Sequence, residues 1–268
     1  FEQTENPWKT PPFATKLGTD RIGVPELSPL GPSLSPFGDK DVFYPSSFRG
    51  EWNINVTLCR KSYPYGVAFV PSLSLIEGSP RYRREMVGDS TSYRARYYSL
   101  DDDGSGTSGT KIIADRRFNS IAATRAYDQL TPVQDILWDP RKDPTLLKIQ
   151  FAAGGLTKDM MPIGPRRAEV YITARKKEDG VGDGNGSSVF AASERTRQVT
   201  LGAGSVDVFD TESVTEYELM SDGTTIRAVQ RIAVYLTPNP NSKEGVLWQQ
   251  VGGKAVAFFD YVIEMQKA

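Results

Sequence analysis

The side chains able to do chemistry in this 268-residue chain are carboxylates, arginines, lysines and tyrosines, because it holds no histidine and a single cysteine, Cys59. Without histidine there is no Ser-His-Asp or Cys-His machinery and no imidazole metal ligand. One thiol makes no internal disulfide and no thiolate zinc cluster. Proton transfer would fall to Asp, Glu, Tyr or Lys. With 33 acidic residues, pairs of carboxylates are inevitable. Sequence does not show which pair converges with separated pKa values.

Some clusters have suggestive spacing. Asp101-Asp102-Asp103-Gly104-Ser105-Gly106-Thr107 places oxygens at alternate positions with a glycine for the bend, as in the first half of a calcium loop. Its twelfth position, Ile112, offers no carboxylate, so a solvated hairpin fits better. Asp179, Asp183 and Asn185 form a second acidic loop with the same weakness. Arg81, Arg83, Arg84, Arg94 and Arg96 make a local basic cluster, read either as an anion site or as the polar outside of a strand pair. Asn55-Val56-Thr57 and Asn185-Gly186-Ser187 match the glycosylation acceptor. Trp138 to Pro144 reads as a stiff turn or a docking loop, and Cys59 as a small buried hydrophobe. No metal or cofactor is expected.

The whole-chain numbers narrow the classes. Thirty-two basic side chains balance the acidic ones to a net charge of −1, against the basic excess of a nucleic-acid binder. No apolar run approaches the ~20 residues that span a bilayer. The chain starts at Phe1 with a polar stretch, which we read as a processed end.

Residues 1–47 form a proline-rich arm with Pro7, Pro11, Pro12, Pro25, Pro29, Pro32, Pro36 and Pro45. Proline fixes φ and removes a donor, so the arm is expected to be extended. It carries spaced apolar anchors: Trp8, Phe13, Leu17, Ile22, Leu27, Leu30, Leu34 and Phe37. Two placements are open. The arm packs along its own domain, or its anchors dock on a partner with little entropy lost.

Residues 48–268 read as one β domain. Trp52, Ile54, Val56 and Leu58 alternate with Asn53, Asn55 and Thr57, as in a half-buried antiparallel strand. Further strands are expected at 67–75, 92–100, 110–114, 146–151, 168–175, 189–201, 213–221, 224–236 and 254–266. Ser221-Asp222-Gly223-Thr224 suits a tight hairpin. The fold class is mainly β: an antiparallel meander closing into a barrel, with one or two short helices, the best at 118–127.

Gly50-Glu51-Trp52 resembles the lipocalin and wider calycin signature, in which the tryptophan plugs the closed end of a barrel and an arginine packs on it. By that resemblance Gly50, Trp52 and Arg231 are structural closure residues. A second resemblance rests on several motifs in order: Phe48-Arg49-Gly50-Glu51-Trp52, Asp115-Arg116-Arg117-Phe118-Asn119, Thr196-Arg197-Gln198, Thr211 to Tyr217, Ala228 to Leu236, and Val251 to Ala257 leading to Asp260-Tyr261. Over residues 44–268 these are similar to an uncharacterised family shared by cyanobacteria and plastids. The resemblance implies the thylakoid lumen and photosynthetic membrane complexes as partners, with no catalytic residues to transfer. The expectation is a non-enzymatic extrinsic or assembly subunit of a photosystem or antenna supercomplex. It would be peripheral to the membrane, not spanning it, and would not bind nucleic acid. A calycin-like carrier of a pigment or lipid is the alternative. A histidine-independent pigment lyase or isomerase ranks last.

Overall fold

The computed structural model describes residues 13–31, 41–71, 76, 85–100, 111–127, 133–154, 164–180, 187–202, 205–239 and 243–268. Ten strands are described: β1 (Gly50–Ser62), β2 (Ser90–Ser99), β3 (Ile112–Ala114), β4 (Val133–Asp139), β5 (Asp143–Phe151), β6 (Arg166–Gly180), β7 (Ser188–Gly202), β8 (Ser205–Leu219), β9 (Thr225–Tyr235) and β10 (Ala257–Lys267). Three short helices accompany them: α1 (Lys16–Arg21), α2 (Arg116–Tyr127) and α3 (Lys243–Gln250). The strands form one antiparallel sheet in the order β3-β2-β1-β10-β9-β8-β7-β6-β5-β4. It is a meander curled into a half-barrel, with the first and last strands side by side: Trp52 opposes Lys267, and Leu58 opposes Tyr261.

The period-two pattern decides which face is buried. Trp52, Ile54, Val56 and Leu58 point inward with Phe259, Tyr261, Ile263 and Met265 of β10, forming the main core. The hairpin between β8 and β9 turns at Gly223, whose φ of 67° suits glycine. Asp222 fixes it by accepting the backbone N–H groups of Thr224 and Thr225.

The sheet's edges are β3 and β4. Helix α2 bridges the seam between them. Asp115 Oδ1 caps α2 by accepting the N–H of Phe118. The Asn119 amide then pairs with both backbone groups of Arg96 on β2, as a neighbouring strand would. On the far side Arg117 meets Asp135 of β4 at 3.1 Å. The free edge of β2 is thereby covered.

Several expectations change. Val67–Phe69 form a 3-10 turn instead of a strand, because Gly66 at φ 86° redirects the chain; residues 72–75 lie outside the described residues. Strand β4 was not expected, since Pro140 and Pro144 suggest a stiff loop where the chain makes a three-residue link between β4 and β5. The alanine-rich helix starts two residues earlier than its composition suggested, at Arg116.

Candidate functional site

The described part of the arm makes two structures of opposite character. Residues 13–31 brace the outside of the barrel over β6 to β10. Leu17 and Ile22 pack on Ala191 and Val214, and Leu27 packs on Ala233, Tyr235 and Phe258. Carboxylates on the outer face hold the backbone. Glu216 accepts N–H groups of Ala14 and Thr15 at 3.1 Å and the Thr15 hydroxyl at 2.5 Å. Glu178 accepts those of Lys16 and Leu17. These are the free N–H groups of the α1 N-terminus, where negative charge is favoured. Glu212, fully buried, accepts from Arg21, the Leu30 N–H, the Ser193 hydroxyl and the Tyr235 hydroxyl. Burial first and Glu212 second push Tyr235 well above the ordinary tyrosine range. Arg231 completes the brace: it pairs with Asp260 at 2.7 Å and donates to Val24 O at 2.6 Å.

Residues 41–48 instead plug the barrel's interior. Val42 and Phe48 join the main core, and the rings of Tyr44 and Phe48 lie 4.9–6.3 Å from Tyr97, Phe190 and Tyr217. Tyr44 also bridges the outer side of β3 at Ile112. Arg116 ties this plug to α2 and β7, reaching Asp41 at 2.5 Å and Glu194 at 2.6 Å. Among the described residues, Asp41 Oδ2 and Arg116 Nε are buried without a hydrogen-bond partner. Burial raises Asp41; Arg116 opposes that and Glu194 adds to it. Burial also pushes Tyr217 up to about 12.

The interior is therefore occupied by the chain's own side chains. Trp52, Phe259 and Tyr261 fill it together with the plug, where a calycin-like carrier needs open space. Phe151 is half-buried, with the Arg166 guanidinium 4.9 Å above its ring. A shallow surface groove of about 460 Å³ lies along β4, lined by Arg117, Leu137, Trp138 and Lys148 among others. Trp138 is pinned there by its indole N–H to Pro144 O. No group of three His, Cys, Asp or Glu side chains among the described residues is placed to hold a metal ion.

Among the described residues, the two ends of the barrel differ in polarity. Strand alternation puts the β1–β2, β5–β6, β7–β8 and β9–β10 links at one end and the β2–β3, β4–β5, β6–β7 and β8–β9 links at the other. Seven large hydrophobic side chains are exposed among the described residues, and six belong to the first end. Val67, Met86 and Val87 lie in the β1–β2 link, Leu201 and Val206 flank the β7–β8 link, and Val246 sits on α3 in the β9–β10 link. Beneath them Tyr65, Phe69, Leu247 and Trp248 cover Leu236, Val251 and Val256. The described links at the other end, 220–224 and 140–142, carry no exposed large hydrophobic side chain.

The sequence-derived residues fall into place unevenly. Leu17, Ile22 and Leu27 are buried in the chain's own body, and Phe13 and Leu30 are half-buried there. Trp8, Leu34 and Phe37 lie outside the described residues, as do Asp101–Asp103, Asp183, Asn185 and Arg81, Arg83 and Arg84. Trp52 is fully buried, and its indole N–H donates to Phe48 O at 2.7 Å. Gly50 opens β1 with a φ of 123°, which only glycine takes easily. The cation over Trp52 is Lys267, 5.5 Å from the ring. Arg231 does not pack there, because β9 turns it to the outer face, against Phe258. Sequence reasoning missed Glu212, Glu216, Arg116 and Asn119. Period two on β8 groups Asp210, Glu212 and Glu216 on one face, which reads as solvated until the arm covers it. A protein-family model described as a domain of unknown function (DUF6816) matches residues 36–268. No curated protein and no solved structure matches the chain.

Proposed function

The chain belongs to the DUF6816 family, and we propose that it is a non-enzymatic extrinsic subunit of a photosynthetic membrane-protein complex, docked on the thylakoid-lumen side by one end of its barrel. The observation that carries this reading is the polarity difference between the two ends among the described residues, with six of their seven exposed large hydrophobic side chains at one of them. Such side chains at one end, with none in the described links of the other, point docking to that end. The resemblance of residues 44–268 to cyanobacterial and plastid proteins supports the setting, and no described helix is long and apolar enough to cross a membrane. The brace and plug occupy the described arm with the chain's own body, so docking falls to the barrel. The filled interior supports a structural role over a carrier.

The test is reconstitution. Purified protein is added to salt-washed thylakoid membranes, which are then solubilised in mild detergent and separated. Co-migration with a pigment-protein band, lost on a salt wash and lost in the Val67→Asp/Val246→Asp variant, supports the reading. Failure to join any pigment-protein band would sink it.

A further inference from the structure

We propose that the apolar end of the barrel contacts the lipid bilayer itself, with Val67, Met86, Val87 and Val246 entering the interfacial region and cationic side chains around them meeting anionic headgroups. This rests on the docking reading above and names the partner of that same surface.

Three features favour lipid over a protein groove. First, the exposed side chains stand on separate links, one to three on each, at 41–64 % exposure. A protein interface concentrates its energy in a central, pocketed cluster of anchors. Isolated tips at the end of a barrel suit a fluid phase that closes around each one. Second, Tyr65 and Trp248, two residues from Val67 and Val246 in the same links, sit half-buried over the cluster of Leu236, Val251 and Val256. Tyrosine and tryptophan are the residue types that settle at headgroup level. The turn after α3 runs through Gly252 and Gly253, both in the left-handed region at φ 60° and 71°, and packs close to Trp248: a Cβ on Gly253 would lie 3.4 Å from its indole.

Third, Lys243, Arg60 and Arg167 near this end are each more exposed than the carboxylate beside them. On the β9–β10 link Glu244 points inward to the N–H and hydroxyl of Thr237, while Lys243 is exposed. Arg60 at the end of β1 is 48 % exposed and its partner Asp260 17 %. Arg167 at the start of β6 is 45 % exposed and its partner Glu169 18 %. Lys254 pairs with the exposed Glu26 of the brace and adds nothing. Short apolar tips beside basic residues are the pattern of shallow, reversible membrane attachment.

The experiment is flotation of the full chain with vesicles of phosphatidylcholine alone and with one third phosphatidylglycerol. Binding to both is expected, tighter on the anionic vesicles, with that excess removed by salt. Val246→Ser and Met86→Ser should each weaken partition by roughly 5-fold, from the apolar area lost. Both sites are exposed, so unchanged thermal midpoints report intact folding. A bilayer-embedded quencher should dim the wild-type fluorescence more than that of Trp248→Phe. The proposal is overturned if wild-type protein floats with neither vesicle, or floats equally well with both serine substitutions combined. If flotation fails while the protein still joins a pigment-protein band, lipid contact is wrong and the partner at this end is protein. If both fail, the docking reading falls with it. Concentration-dependent dimerisation lost in Val246→Ser would assign the surface to a second copy instead.

Discussion

The brace at 13–31 and the plug at 41–48 come from one proline-rich leader, yet opposite chemistry holds them. The plug is a hydrophobic insertion: Phe48 is 1 % exposed, its ring neighbours five aromatic rings, and its carbonyl accepts the Trp52 indole N–H. The brace is a backbone held by carboxylates, with three apolar side chains beneath it. The difference teaches where cooperativity lies. Removing plug atoms removes contacts shared by β1, β2, β7 and β8, so the loss is global. Removing a brace carboxylate leaves the sheet ladder intact, so the loss is local.

Phe48→Ala gives the largest expected effect, about 3–5 kcal/mol of stability, from lost burial and the cavity left in the aromatic cluster. Urea unfolding should show a lower midpoint in one transition. An early, separate transition confined to residues 41–48 would break the contrast.

Glu212→Ala comes next. It strands Arg21, the Leu30 N–H and the Ser193 and Tyr235 hydroxyls, and losing one partner of a buried ion pair costs about 3 kcal/mol or more. Hydrogen exchange should rise at residues 13–31 while β1 and β10 keep their protection. Equal loss of protection across the sheet would show that the brace is part of the global unit.

Thr15→Ala is milder. Thr15 caps α1 through Gly18 N and also donates to Glu216. Loss of such a cap costs about 1 kcal/mol. Faster exchange of the Gly18 and Thr19 amides, with little change in global midpoint, is the expected result.

How much of this was legible depended on whether periodicity or contact decided it. The alternation of Trp52, Ile54, Val56 and Leu58 and the Asp222-Gly223 turn follow from local rules, so the meander could be read. Leu17, Ile22 and Leu27 were visible as anchors, but spacing does not say whose surface they meet. The outer face of β8 misled for a physical reason. Glu212 and Glu216 are charged at alternate positions, which signals solvent, yet a segment about 200 residues away buries them by supplying N–H donors. The pairing of Arg231 with Trp52 failed because a motif carries no face: the residue's parity on β9 puts it outside. The apolar end needed the strand order, since Val67, Val206 and Val246 are far apart in sequence.

The smallest effect sharpens the comparison through pH. Asp41 lies at the start of the plug, faced by Arg116 from α2, Glu194 from β7 and the Val42 N–H. Its carboxyl is raised above the ordinary 3.8, first by burial and further by Glu194, against the pull of Arg116. A raised value means that the folded state binds the proton more tightly than the unfolded chain. The contribution is then fully present below the unfolded value and lost as pH rises through the folded one. The plug is thus expected to be held more firmly in mild acid than at neutral pH. The opposite slope would come from carboxylates held ionised in the fold. Comparing wild type with Asp41→Asn in urea from pH 4 to 7.5 isolates the Asp41 share. The variant should gain on wild type as pH rises, with slower exchange at residues 42–48. A difference that shrinks with rising pH would mean that the Arg116 pair outweighs burial, and the plug would then be held by ion pairing as the brace is.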